Sequence, residues 1–524
     1  MLRCFIGKIY VSFKPLRIAQ ALLISNERII YNGSADVAER VCDEFGGEKI
    51  ELKNEVILPG FIDAHIHLDW IGETLNQLDL RNTRSIEELE KRLHEFSMRS
   101  KSNWIYGRGW DHELFKEKRL PTRWDIDEII KDKPVILSRV CGHMALLNTK
   151  ALSASNLLIQ ENEDVLRNER NEVTGIIKER AISKVIEKYR DSLSDEELEK
   201  FLIDAMNYCA SQGVTTIGLA GCSMRVLRLL IKLNIEKKQK IRVRTYIRLN
   251  GNKSVLDLIL NTGIQFGFGD DMLRIMGFKI ILDGALGIRS AYLSKPYSDM
   301  PNHYGQLNLD PNTLFQIVKE ADEANLQMAI HAIGDKACDL IIEAYSKAKN
   351  LNKLRHRIEH ASLLREDQIK KIAELDIGVA VQPRFVISDW WAKERVGAER
   401  IKWLYAFKSM LNNNIKMGLS TDSPVEPLNP WETVYASITR GKYEGIEYYK
   451  DTIHETLELD ETLHCYTFGS AYIMHDEKVL GTLENNKLAD FIIVDKDPFS
   501  ISDYDIKNIK VLKTYIGGKL IFEI

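Results

Sequence analysis

His65-Ile66-His67 is the first place in this 524-residue chain where residue type and spacing could do chemistry. Read as a strand, the triplet puts His65 and His67 on one face and Ile66 on the other, with Asp63 on the histidine face. Two imidazoles at that spacing can share a metal ion. The plain alternative is two polar residues at a strand end. Lys279 stands within Met276-Gly277-Phe278-Lys279-Ile280-Ile281-Leu282-Asp283. A lysine in an apolar strand is costly to keep charged, so it faces a polar site, is neutralised, or reaches water from a strand end.

His331 closes the run Met328-Ala329-Ile330, and His360 closes Arg357-Ile358-Glu359, 29 residues later. Either alone reads better as a hydrogen-bonded core histidine. Asp422, after Met417-Gly418-Leu419-Ser420-Thr421 and before Ser423-Pro424, could instead cap a helix. His143, in Cys141-Gly142-His143-Met144, is substrate-facing or structural. The weight lies in the set. Of 12 histidines, four join a lysine and an aspartate at the ends of five expected strands. Such a cluster suits Zn²⁺ or a similar divalent ion, which lowers the pKa of a bound water toward ~7.

Residues at strand ends need strands to place them. Eight short apolar runs fit: Phe61–Leu68, Val214–Leu219, Val243–Leu249, Met276–Leu282, Met328–Ala332, Arg357–Ala361, Gly378–Gln382 and Ile415–Ser420. Helical patterns such as Asp195–Ser211 and Pro311–Ala324 lie between them. Strand–helix alternation at roughly thirty residues per unit describes a (β/α)₈ barrel, an α/β fold with its active site at the C-terminal ends of the strands. The first interval is too long and implies a large insertion after the first barrel strand. Strand-like ends, with Asn32-Gly33 as a hairpin signal and Gly517-Gly518 as a turn, suggest a small β-sandwich built from both termini. The expected division is 1–58 plus 480–524 for the sandwich and 59–75 plus 200–479 for the barrel. The remaining 76–199 form an insertion covering the active-site mouth.

Net charge is -4, with 44% hydrophobic and 28% charged residues, which describes a globular protein without pull toward nucleic acid or anionic lipid. No run approaches the ~20 apolar residues of a membrane span, and Met1–Lys8 lacks a signal-peptide pattern. Seven scattered cysteines without CxxC favour reduced thiols, so a cytoplasmic location is expected. The expected partner is a small molecule. A homodimer is expected only from the general frequency of dimers.

Together these motifs resemble the amidohydrolase superfamily, and within it the branch that includes N-substituted formamide deformylases. Pro59-Gly60-Phe61-Ile62-Asp63-Ala64-His65-Ile66-His67 is similar to its first-strand signature. Leu120-Pro121-Thr122-Arg123-Trp124-Asp125 and Gly142-His143 resemble the branch's insertion, and Lys279 with Asp283-Gly284-Ala285-Leu286-Gly287-Ile288-Arg289-Ser290 its fourth-strand motif. His331-Ala332-Ile333-Gly334-Asp335, Arg357-Ile358-Glu359-His360, Thr421-Asp422-Ser423-Pro424 and Leu488-Ala489-Asp490-Phe491 complete the likeness. It implies a metal-dependent hydrolase of an amide-type C–N bond other than a peptide bond, with a metal-bound hydroxide as nucleophile.

The resemblance further implies two Zn²⁺, one on His65 and His67 and one on His331 and His360. A carbamylated Lys279 would bridge them, and Asp422 would be both metal ligand and catalytic proton acceptor. His143, Trp110, Asp111 and Arg289 are carried over as substrate-binding residues. Ala285 and Ile288 stand where small hydroxylated residues are expected, and Asn485-Asn486 replaces a glycine turn. The same ligand set would serve an ester, lactone or phosphotriester hydrolase, and a barrel that has become a non-catalytic scaffold is the third reading. Trp104, Trp110, Tyr292, Tyr297 and Tyr304 either line an aromatic pocket or seal the insertion.

Overall fold

The computed structural model describes residues 2–159, 163–249, 251 and 253–524. The chain falls into two compact units, residues 1–68 with 205–524, and residues 69–204.

The larger unit holds eight parallel strands: β1 (Phe61–Ile66), β2 (Val214–Cys222), β3 (Arg242–Arg248), β4 (Leu273–Ile281), β5 (Gln327–Ala332), β6 (Arg357–His360), β7 (Gly378–Val381) and β8 (Met417–Leu419). Their hydrogen-bonded order follows chain order from β1 to β8. The last seam is closed just beyond β8, where the Asp422 amide donates to the His65 carbonyl (3.0 Å) and the His67 amide to the Ser423 carbonyl (2.9 Å). Strands buried on both faces read as continuous apolar runs rather than alternating ones, and every residue of β1 and β2 is buried. Gly218 in β2 is required by close approach, since a Cβ there would stand 2.1 Å from the Ala64 carbonyl oxygen of β1. Amphipathic helices such as Pro311–Glu323 and Asp335–Ser346 pack onto the strands. The first of these starts at the N-cap Asp310, whose carboxylate accepts from the amides of Asn312 and Thr313.

Both termini form one seven-stranded sheet, in the order Lys519–Glu523, Val511–Ile516, Phe491–Val494, Glu48–Pro59, Leu2–Phe13, Leu16–Ser25, Arg28–Gly33. Its core stacks Phe491 on Tyr515, with ring centroids 4.5 Å apart. The turn between Leu16–Ser25 and Arg28–Gly33 is made at Asn26, which takes a left-handed φ of 55°. Asn32-Gly33, expected to be a hairpin turn, is instead paired as strand with Leu22 and Ala21. Its asparagine amide donates to the Leu483 carbonyl and to Asn485, a long-range demand that short-range turn rules do not contain. Asn486, in the place of the missing glycine, has φ 71°. Asparagine tolerates that region better than most side chains.

The unit 69–204 occupies the long interval between β1 and β2. It is built on a six-stranded sheet in the order Val165–Arg167, Val173–Lys178, Met144–Leu147, Val135–Arg139, Ile105–Trp110, Leu78–Asp79. Among the described residues no helix is long and apolar enough to cross a membrane. All seven cysteines are free thiols, and only Cys141 is exposed.

Candidate metal centre

His65, His360 and Asp422 each offer a ligand atom within 4.8 Å of the others. His67 joins through Nε2, 3.1 Å from Asp422 Oδ1. Lys279 Nζ lies 3.3 Å from His65 Nε2. The rings of His331 and His360 are 4.4 Å apart between centroids, and those of His65 and His360 4.9 Å. The structure therefore gathers His65, His67, Lys279, His331, His360 and Asp422 at the C-terminal ends of β1, β4, β5, β6 and β8, where barrel enzymes place their chemistry.

Two of these residues occupy backbone conformations that L side chains rarely adopt. His360 has φ 72° and Asp422 has φ 57°. At His360 the Ala361 amide donates back to the Glu359 carbonyl (3.0 Å), a γ-turn around the histidine. Such conformations cost free energy and persist where the surroundings over-determine them, as at functional sites.

The electrostatics favour neutral imidazoles with available lone pairs. Burial, joined by the neighbouring Lys279 charge, pushes His65 well below its ordinary value and His331 down to about 3. Burial and the neighbouring His331 and His65 do the same to His360. Lys279 is brought down to about 8 by burial, partly offset by Glu359 and Asp422. Each buried ring also has an acceptor or donor that fixes its orientation. His65 Nδ1 meets the Glu359 carboxylate. His360 Nδ1 is 2.8 Å from Gln382 Oε1, whose amide in turn donates to Ser420 Oγ at 2.8 Å. His331 Nε2 faces the Gly284 carbonyl at 3.0 Å. Glu359 and Gln382 were not singled out from sequence. The only available signal was the Glu359-His360 pair itself, a carboxylate beside an expected ligand at a strand end.

Asp63, two residues before His65, serves the seam, and the register of β1 against β2 slips between Asp63 and Ile66. Its carboxylate accepts from the Thr421 hydroxyl (2.8 Å), the Thr421 amide and the Tyr466 hydroxyl (3.1 Å). Asp283, after β4, accepts from the amides of Tyr292, Ile333 and Gly334 and thereby shapes the loops around His331. Burial raises both carboxyls to about 7.

Of the expected substrate-binding residues, Trp110, Asp111 and His143 belong to the unit 69–204 and Arg289 to the larger unit. Trp110 is fully buried in the core of the unit 69–204, with Nε1 donating to the Leu137 carbonyl at 2.7 Å. It is a core residue there, because its indole sits among Leu80, Phe115 and Leu137 rather than at a surface. Asp111 caps the short helix His112–Leu114 and pairs with Arg139 at 2.6 Å, so its carboxylate is already engaged. His143 is exposed in the connection between Val135–Arg139 and Met144–Leu147. Arg289, in the loop after β4, pairs with Asp299 at 2.7 Å. Of the aromatics, Trp104 and Tyr297 are buried, and Tyr304 is exposed.

A family model described as "Amidohydrolase family" matches residues 48–522. The Bacillus subtilis (strain 168) protein YtcJ is 28% identical, covering 99% of this chain and 98% of its own. The N-substituted formamide deformylase of Arthrobacter pascens is 23% identical over 96% of this chain and 95% of its own. A crystal structure of an uncharacterized metal-dependent hydrolase from Pyrococcus horikoshii OT3 superimposes with a TM-score of 0.85 at 38% identity, covering 96% of this chain and 99% of that one.

Proposed function

The chain belongs to the amidohydrolase family, and from that premise we propose that it is a metal-dependent hydrolase of an amide-type C–N bond, other than a peptide bond, in a small molecule. The observation that carries the reading is the convergence of six metal-competent side chains from five strands, with His65, His360 and Asp422 presenting ligand atoms within 4.8 Å of one another. Four histidines, most of them held neutral by burial, and one carboxylate form a donor set that fits divalent zinc. His65 and His67 would hold one ion and His331 and His360 a second. Lys279, between them, would serve as an anionic bridge once its amine has added CO₂ and released a proton. Bound there, the ions would polarise the substrate carbonyl and supply a water acidic enough to attack near neutral pH.

The chain's own groups complete the reaction. Asp422 Oδ1, 3.1 Å from His67 Nε2 and 3.5 Å from His65 Nε2, is positioned to accept a proton from the attacking water. The same carboxyl then returns that proton to the departing amine nitrogen. Gln382 and the Gly284 carbonyl hold the His360 and His331 rings in the orientations that leave their other nitrogens available. Similarity to a deformylase of N-substituted formamides supports a C–N target.

The test is metal content per chain on protein expressed with zinc and bicarbonate, beside a Lys279→Ala variant. Turnover is then measured on matched formamides, anilides and esters. About two ions in the parent, fewer in the variant, and preference for the amides are expected. No metal in either protein would overturn the reading, and preference for the esters would move it to a different bond.

A further inference from the structure

Among the buried charges of the barrel unit, one pair lies directly against the metal centre. Arg357 and Glu359 both belong to β6 and both are fully buried. Arg357 Nε stands 2.6 Å from Glu359 Oε1, a charge contact rather than a well-directed hydrogen bond. Its Nη2 donates to the Ala64 carbonyl at 2.9 Å, and its guanidinium lies 4.2 Å over the Tyr246 ring. The other carboxylate oxygen of Glu359 accepts from His65 Nδ1. Ala64 and His65 are consecutive in β1, a strand that is not a neighbour of β6 in the sheet. The pair thus reaches across the barrel and grips β1 twice, at the Ala64 carbonyl and at the next residue's ring.

Burying an ion pair in this way is a poor means of stabilising a fold. Desolvation roughly cancels the attraction, and apolar side chains of equal volume often do as well or better. Its placement makes sense as orientation. A carboxylate on Nδ1 holds the proton on that nitrogen and turns the Nε2 lone pair toward Lys279 Nζ, 3.3 Å away, and Asp422 Oδ1, 3.5 Å away. A negative acceptor also makes Nε2 a stronger donor to a metal. His360 has only a neutral amide, Gln382, in the corresponding place.

We propose that Glu359 is a positioning residue of the metal centre, selecting the Nδ1–H tautomer of His65 and tightening the metal at Nε2, with Arg357 serving to hold Glu359. The inference rests on the metal-dependent reading above and concerns a residue that itself touches neither metal nor substrate.

The decisive variant is the double substitution Arg357→Met with Glu359→Leu in the full chain. It removes both charges together, so neither is left buried and alone. Glu359→Gln, which keeps an acceptor and loses the charge, is the graded companion. Two measurements are made: the rate of zinc release to a chelator, and the ¹⁵N spectrum of the histidines in metal-free protein, with His65 assigned from a His65→Gln spectrum. The parent should show His65 as the Nδ1–H tautomer. The double variant should lose that preference and release zinc about 10- to 100-fold faster, and Glu359→Gln should fall between. A folded double variant that holds zinc as tightly as the parent would overturn the proposal, leaving Glu359 only the partner of Arg357. A parent that binds no zinc would sink the metal reading instead, and the spectrum would still decide the positioning role. A parent with mixed His65 tautomers would refute it.

Discussion

Glu359 and His360 are consecutive residues of one strand, yet both side chains enter the same site: Glu359 holds His65 Nδ1, and the His360 ring lies 4.9 Å from the His65 ring. Regular alternation would send them to opposite faces. The left-handed φ of 72° at His360, closed by the Ala361 amide on the Glu359 carbonyl, turns the histidine back inward. The strand end therefore delivers two adjacent functional groups where an ideal strand delivers one.

This predicts different fates for two substitutions that both remove a proposed metal ligand. His360→Asn should leave the metal-free protein within about 1 kcal/mol of the parent, because asparagine tolerates a left-handed backbone. His360→Val should cost about 1–3 kcal/mol more, since a β-branched residue is strained there. Both should lose metal. Denaturant unfolding of metal-free protein separates strain from ligand loss, and equal stability of the two variants would contradict the account of the turn.

Trp110, which the family resemblance implies to be a pocket residue, lies in a core. Trp110→Ala should therefore cost about 3–5 kcal/mol of stability, the range for emptying a large aromatic site. Trp110→Phe should cost less, through cavity volume and the lost Nε1 bond to the Leu137 carbonyl. On whichever substrate is turned over, KM should be unchanged in the folded Trp110→Phe protein. A selective rise in KM without loss of stability would return Trp110 to the pocket.

The pattern explains what was legible in the chain. The eight strands were readable because parallel strands buried on both faces are continuous apolar runs, and the polar residues ending them stood out against that background. Lys279, His331 and His360 were visible for this reason. The partners that orient the ligands were not, because a bond such as Glu359 to His65 or Gln382 to His360 depends on which strands face each other across the barrel. Asp63 shows the same limit: alternation expects it on the histidine face, but the register of β1 slips between Asp63 and Ile66, and Thr421 and Tyr466 of the closing seam claim its carboxylate. Trp110 and Asp111 were placed by likeness of motif, which conveys position in the chain and not burial.

Two histidines away from the centre set an acid limit on stability. Burial lowers His475 to about 4; its ring packs 4.2 Å from Phe266, and Nε2 donates to the Leu354 carbonyl at 2.9 Å. His464, buried near Lys14, is also lowered to about 4. A histidine with a depressed folded-state pKa contributes stability that is present above its unfolded value of ~6.5 and lost as pH falls toward the folded value. Between pH of about 6.5 and 4 the unfolded chain takes up the protons that the folded chain refuses. Tm should fall across this window, and His475→Gln should flatten the fall by on the order of 2 kcal/mol. Parent and variant curves that run parallel from neutral pH to pH 4 would show that this ring does not contribute.

Asp422 is the most direct test of the proposed chemistry, because its backbone and side chain do separable work. The amide closes the barrel seam on the His65 carbonyl, and the residue takes φ 57° to do so. Asp422→Asn preserves both, since asparagine matches the shape and tolerates the conformation. What it removes is the capacity to take a proton from water and return it to an amine, a contribution typically worth about 10²–10⁴ in rate. The variant should fold like the parent, keep most of the metal held by the histidines, and lose kcat by at least about 10²-fold. Asp422→Ala should lose stability as well, because alanine is strained at this φ and the 3.1 Å contact with His67 Nε2 disappears. Full activity in a metal-replete Asp422→Asn protein would mean that another group carries the proton, and the role assigned to Asp422 would fall with it.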